Sequence, residues 1–282
     1  VIERRPFGWL PRRVPCIGLG TWKLERAERA AAVAAVRAAL DAGLVHVDTA
    51  ELYGDGRVEE ILGEALAGRR DEVFLVSKVM PDHASRRGTL RACEASLKRL
   101  RTDRLDCYLL HWPGRQPLAD TIAAFEELVE SGRILAWGVS NFDEDRILEA
   151  VRLAGPARVA CNQVLYHLGE RGIEHAVLPA CERNGIAVVG YTPFDAGGVP
   201  EPGTPGASVL GGIAARLGAT ARQVILAYLT RRPSLFAIPM TSRPEHAREN
   251  AGAGEVRLEP SDVQEIEAAF PPGAGRRGVA TL

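Results

Sequence analysis

Lysine is nearly missing from this sequence. Of 35 basic residues only Lys23, Lys78 and Lys98 are lysine, and the remainder are arginine. An ammonium can be tuned in pKa or made a nucleophile where a guanidinium cannot, so Lys78, which ends the apolar run from Val73, stands out. No stretch approaches the ~18 apolar residues that a membrane-spanning helix needs. The five cysteines, Cys16, Cys93, Cys107, Cys161 and Cys181, are odd in number, form no C-x-x-C pair and sit in apolar runs. They read as reduced core residues and exclude a disulfide framework. Histidines at 46, 83, 111, 167, 175 and 246 show no H-E-x-x-H or similar spacing, so no metal site is expected. A formal net charge of -1 gives no reason to expect nucleic acid or an anionic membrane as the main partner, since those usually demand a clustered positive face. No basic-then-apolar leader is visible, so a cytoplasmic protein with a small-molecule partner is expected, acting as a monomer.

What the chain does contain is alternation. Near-continuous apolar runs at 16–20, 44–48, 73–77, 105–110, 134–139, 159–163, 186–190 and 235–239 predict strands buried on both faces, hence a parallel sheet. Between them helices are expected over 25–42, 57–67, 85–100, 118–131, 143–154 and 172–184. Helices over 207–217, 220–231, 244–252 and 260–270 follow. Eight strand-helix units favour a closed (β/α)8 barrel of the TIM type over an open doubly wound sheet, and 282 residues suit one such domain with two extra helices. Residues 1–15 contain turn residues between short apolar runs and predict a hairpin cap, whereas 271–282 forms a C-terminal tail. One long irregular stretch, 192–206, is rich in glycine and proline; loops of that length are functional or disordered.

In a barrel all strand ends face one mouth, so distant residues meet there. Asp48, Lys78 and His111 end the second, third and fourth predicted strands, with Tyr53 in the loop above the second. A phenol titrates near ~10 in water. An ammonium ~4 Å away would favour its phenolate by ~4 kcal/mol at an effective dielectric near 20, lowering the pKa by about three units. On this reading Tyr53 is a proton donor, Asp48 keeps Lys78 charged, and His111 positions a carbonyl oxygen or shares the proton.

These residues resemble a family. Asp48-Thr-Ala-Glu-Leu-Tyr53-Gly, Ser77-Lys78, Leu109-Leu-His111-Trp112-Pro, Gly138-Val-Ser-Asn141-Phe and Asn162-Gln163 are similar, in order and spacing, to the aldo-keto reductases. The likeness runs from about Val14 to Phe270. It implies a (β/α)8 barrel that uses NADPH, with NADH possible, and no G-x-G-x-x-G motif follows a strand here. By the resemblance Tyr53 is the general acid of a tetrad completed by Asp48, Lys78 and His111. Ser140, Asn141 and Gln163 would hold the nicotinamide carboxamide and Tyr191 would stack on its ring. Gly20, Thr21, Trp22, Asp48, Thr192 and Phe194 are further implied cofactor contacts, as are Thr241, Ser242, Arg243, Glu249 and Asn250 at the adenosine end. Trp22, Tyr53, His111 and Trp112 would meet a carbonyl substrate, with Phe194 beside them. The stretches 162–168 and 268–272 look most like bacterial members that reduce small reactive aldehydes such as methylglyoxal.

There are departures from the pattern. Where the family commonly carries Ile-Pro-Lys-Ser and an arginine to grip the 2′-phosphate, this chain has Ile238-Pro-Met240-Thr241-Ser242-Arg243 and His246. Two hydroxyls and one guanidinium remain nearby to bind a phosphate. Other readings of the same residues stay open. Lys78 could form a Schiff base, as in aldolases, although that needs a neutral lysine and Asp48 opposes it. The barrel could also be a non-catalytic nicotinamide-binding regulatory subunit, since fold alone does not settle function.

Overall fold

The computed structural model describes residues 1–195, 198–275 and 278–282. Two strands, β1 (Arg4–Phe7) and β2 (Leu10–Pro15), pair antiparallel as the expected hairpin. The barrel strands follow: β3 (Leu19–Gly20), β4 (His46–Asp48), β5 (Phe74–Val79), β6 (Leu105–Leu110), β7 (Ile134–Ser140), β8 (Val159–Leu165), β9 (Ala187–Tyr191) and β10 (Leu235–Ile238). Each pairs in parallel with the next in chain order. The seam between first and last closes through the Gly18 N–H on the Ala237 carbonyl at 2.8 Å, the Ala237 N–H on Cys16 O at 2.9 Å and the Gly20 N–H on Pro239 O at 3.1 Å. Apart from Leu135 and Tyr191, every barrel-strand residue is buried, as the unbroken apolar runs required.

Helices fill the spaces between strands: α1 (Arg29–Asp41), α2 (Arg57–Ala65), α3 (Arg86–Leu100), α4 (Leu118–Glu130), α5 (Glu144–Ala154) and α6 (Val177–Arg183). Two more, α7 (Pro205–Leu217) and α8 (Ala221–Leu229), separate β9 from β10, and α9 (Pro244–Gly252) and α10 (Pro260–Ala269) follow the last strand. These ten supply the eight barrel helices and the two extras. Among the described residues no single helix is long and apolar enough to cross a membrane. Two expected helices each divide into a short turn and a helix. Residues 25–42 split into a 3-10 turn at Leu24–Arg26 and α1, which starts where the Glu28 carboxylate accepts the Ala31 N–H. Residues 172–184 split into a 3-10 turn at Gly172–Glu174 and α6. The irregular stretch 192–206 gives way to α7 at Pro205, capped by Thr204; its Ala196 and Gly197 lie outside the described residues, as do Arg276 and Arg277 of the tail.

The hairpin plugs the end of the barrel opposite the mouth. Gly8 turns it at φ 61, and a Cβ there would lie 2.2 Å from the Ala160 carbonyl oxygen, so only glycine fits so close. Phe7 is fully buried among His46, Phe74 and Phe236, with ring centroids at 5.5, 4.8 and 5.2 Å. Burial pushes the His46 pKa down to about 3, against the opposing pull of the Pro15 backbone carbonyl. His46 is a neutral ring in an apolar box. Arg5 donates to the carbonyls of Thr230 at 2.7 Å, Arg232 at 2.8 Å and Leu235 at 3.2 Å, and Arg12 pairs with the buried Asp106.

Candidate active site

The strand ends converge as the topology demands. Asp48 closes β4, Lys78 is the penultimate residue of β5, and His111 follows β6 directly. Lys78 is fully buried, and its three ammonium protons are all committed: to Asp48 Oδ1 at 2.5 Å, the Thr49 carbonyl at 2.8 Å and the Tyr53 hydroxyl at 3.1 Å. The other Asp48 oxygen accepts from Gln163 Nε2 at 2.7 Å, while the Thr21 hydroxyl donates to the Asp48 carbonyl at 2.8 Å. Lysine, glutamine and aspartate thus tie β5 and β8 to the end of β4.

Electrostatics assign the protons. Burial by itself would lower Lys78, but Asp48 and Tyr53 outweigh it and raise the ammonium above its ordinary value. A charged, fully hydrogen-bonded lysine is not a Schiff-base nucleophile. Asp48 is raised by burial against the opposing pull of Lys78 and Gln163. For Tyr53 the structure reverses the expected direction: its pKa is raised, because burial penalises the phenolate by more than Lys78 relieves, and Asp48 adds to the penalty. Attraction to the cation alone, without the loss of water around the phenol, predicts the opposite sign. His111 is pushed down to about 2 by burial and then by Lys78, so its ring is neutral. It lies edge-on to Tyr53, with ring centroids 5.9 Å apart, and against Trp112 at 4.8 Å.

Beside the tetrad, Asn141 Nδ2 donates to the His111 carbonyl and to Ser140 Oγ, both at 3.2 Å. The Ser140 hydroxyl donates to the Gln163 carbonyl at 2.9 Å, and the Tyr191 hydroxyl to Asn141 Oδ1 at 3.0 Å. Asn141 and Thr192 hold left-handed backbone at φ 59 and 53, an uncommon state that clusters at binding sites.

All of this faces one cavity of about 830 Å³, toward the upper end of the usual range for small-molecule sites. Asp48, Tyr53, His111, Trp112, Ser140, Asn141 and Gln163 line it, with Gly20, Thr21, Trp22, Tyr191, Thr192 and Phe194. Lys78 lies beneath that surface. Not in its lining are Thr241, Ser242, Arg243, Glu249 and Asn250, which sit on α9 and the turn before it. The Thr241 hydroxyl accepts the Arg243 N–H at 3.0 Å and donates to the Arg243 carbonyl at 3.2 Å, closing the turn before α9. Arg243 is exposed and has no carboxylate partner among the described residues. Asn250 is 1% exposed and its Oδ1 has no partner among the described residues, an unmet acceptor that a donor on a bound ligand would satisfy.

Residues without a motif to mark them also line the cavity. Lys23 places its ammonium 3.8 Å from the Trp22 ring centroid, Leu52 sits beside Tyr53 in the chain, and Val279, Thr281 and Leu282 of the tail reach the same space. Lys23 sat in view beside Trp22, but no pattern in the tail announces its return to the mouth. Among the described residues no group of three or more His, Cys, Asp or Glu side chains could hold a metal.

Comparison with known proteins agrees with this geometry. The sequence profile of the aldo/keto reductase family matches residues 16–270. Methylglyoxal reductase YeaE of Escherichia coli K12 is 42% identical over 265 residues, covering 93% of each chain. Glyoxal reductase of Bacillus subtilis is 32% identical over 255 residues, 90% of this chain and 88% of that one. A crystal structure of an aldo/keto reductase from Klebsiella pneumoniae in complex with NADP and acetate superposes with a TM-score of 0.93 at 42% identity, covering all of both chains. A barrel of this topology, with Asp48, Tyr53, Lys78 and His111 gathered at its mouth and a family match over nearly its whole length, belongs to the aldo/keto reductases.

Proposed function

We propose that this NAD(P)H-dependent carbonyl reductase acts on small reactive aldehydes of the methylglyoxal type, with Tyr53 as the proton donor. The observation that carries the reading is the Tyr53 hydroxyl held 3.1 Å from a buried, charged Lys78 at the base of the cavity. Bound nicotinamide supplies the hydride. Tyr53, a phenol neutral at pH 7 whose pKa burial raises further, gives its proton to the carbonyl oxygen. Lys78 steadies the phenolate left behind, and Asp48 keeps Lys78 charged. His111, neutral, orients the carbonyl oxygen through its ring edge. Ser140, Asn141 and Gln163 suit a carboxamide in chemistry, offering amide and hydroxyl groups already fixed by their own hydrogen bonds. The orphaned Asn250 acceptor suits an amino group at the other end.

The 282 residues read as a single barrel domain. Tetrad, cavity wall and plug all come from one chain, which supports a monomer as the working unit, and five buried unpaired cysteines suit the reducing cytoplasm. The test is oxidation of NADPH and NADH by the purified protein across methylglyoxal, aromatic aldehydes and simple ketones. Turnover fastest with methylglyoxal supports the reading; none with any carbonyl removes it.

Cofactor choice gives a separate expected result. A 2′-phosphate stripped of water needs charge-assisted hydrogen bonds, worth about 1.5–3 kcal/mol each. Met240 supplies none, and Arg243 at the start of α9 is the guanidinium beside the Thr241 and Ser242 hydroxyls. NADPH is therefore preferred, and Arg243→Ala weakens NADPH binding about 10–100-fold, from that energy range, while NADH binding is unchanged. Dissociation constants for both cofactors decide it: an unaltered ratio in the variant takes Arg243 out of the site.

A further inference from the structure

Glu51 neither belongs to the tetrad nor lines the cavity, yet three rim loops meet through it. It lies two residues before Tyr53, and its side chain is only 10% exposed. Its Oε1 accepts two hydrogen bonds from the loop beyond Lys78, one from the Met80 N–H at 2.7 Å and one from His83 Nδ1 at 3.0 Å. The Glu51 N–H meets the Lys78 carbonyl at 3.4 Å, so the loop carrying Tyr53 is stitched to β5 and to the turn that follows it.

That turn, a 3-10 helix over Pro81–His83, is fixed from its other side as well. The Thr121 hydroxyl of α4 donates to the Ala84 carbonyl at 2.6 Å. Pro81 presses on Gly114, three residues past His111, so closely that a Cβ on Gly114 would fall 2.5 Å from the proline Cβ. The path Tyr53 loop, Glu51, Met80–His83 turn, Pro81, Gly114 therefore ends on the loop of His111. A largely buried carboxylate accepting two donors from one turn is a rigid joint.

We infer that Glu51 is a positioning residue: it fixes the reach of the Tyr53 hydroxyl toward Lys78 and His111, and thereby the proton-transfer step. The inference rests on Tyr53 as the proton donor. Its sign and size follow from geometry, since a displacement of about 1 Å at a reacting group costs up to ~10²-fold in rate.

The test compares Glu51→Ala, Glu51→Gln, Gly114→Ala and Tyr53→Phe in one assay of NADPH-dependent methylglyoxal reduction, with rates referred to the protein fraction that binds NADPH. Glu51→Ala is expected to lower kcat about 10–100-fold, to leave the NADPH dissociation constant unchanged and to increase the solvent deuterium isotope effect on kcat. Glu51→Gln keeps an oxygen acceptor for both donors and restores most of the rate. Gly114→Ala, which pushes Pro81 from the far side, shifts kcat and the isotope effect in the same direction. Wild-type kcat in Glu51→Ala, no recovery in Glu51→Gln, or a loss of rate without change in the isotope effect overturns the inference. If Tyr53→Phe itself keeps the wild-type rate, the assignment of the proton donor fails, and Glu51 loses its role with it.

Discussion

Tyr53→Phe is expected to lower carbonyl reduction by a factor on the order of 10²–10⁴, the contribution of a positioned general acid, with the cofactor dissociation constant unaltered. The phenylalanine ring keeps the edge-on contact with His111 and removes only the hydroxyl that Lys78 holds. No other tetrad member can take over. His111 is neutral, with its pKa pushed down to about 2, so it cannot serve as a cationic acid, and Lys78 has all three protons engaged beneath the cavity surface. A raised pKa makes Tyr53 a weaker acid than a free phenol, yet still a stronger one than the alcohol that forms on the substrate. It keeps the proton in place until the carbonyl oxygen gains charge, and the nearby ammonium then stabilises the phenolate by a few kcal/mol. Single-turnover reduction alongside cofactor titration measures both quantities. A rate within about tenfold of wild type transfers the acid role away from Tyr53.

Lys78→Met is expected to be more damaging still, because it removes stability and chemistry together. The substitution keeps the length of the side chain but leaves Asp48, 1% exposed, as an uncompensated carboxylate with Gln163 as its remaining side-chain partner. Breaking a buried ion pair in this way costs about 3–5 kcal/mol. Reduction falls at least as far as in Tyr53→Phe, since the phenolate loses its counter-charge. The double variant Lys78→Met/Asp48→Asn separates the two effects: with neither charge buried, the denaturation midpoint recovers while activity does not. Equal stability of Lys78→Met and wild type in urea would show that Asp48 needs no partner, and a double variant no more stable than the single one would locate the damage in packing.

Much of this was legible in the sequence, for identifiable reasons. Strands buried on both faces leave unbroken apolar runs, so β5 and β6 announce themselves, and the residues that interrupt such runs at their ends, Asp48, Lys78 and His111, are the ones a barrel delivers to its mouth. Tyr53 was visible by its spacing from Asp48. What stayed hidden depends on how far a side chain is from water. The direction of the Tyr53 shift turns on desolvation, which spacing does not report. The turn that the Thr241 hydroxyl closes with the Arg243 backbone carries no mark in the sequence either. Leu282 has nothing around it in sequence to mark it as part of a cavity wall, because its place follows from where the tail runs. The link from Glu51 to Met80 and His83 spans 29 and 32 residues between polar loops, where no periodicity exists to betray it.

The plug at the base of the barrel bears on how the chain is born. Its residues emerge from the ribosome ahead of every surface that receives them: Phe7 waits for Phe74 and Phe236, Arg12 for Asp106, and Arg5 for carbonyls beyond residue 229. The seam between β3 and β10 has the same schedule, since its two sides lie at opposite ends of the barrel sequence. Closing contacts of such long sequence separation come late and slowly. Until the last strand arrives, the nascent chain therefore carries an open sheet edge and an undocked phenylalanine, the kinds of surface that invite non-native pairing.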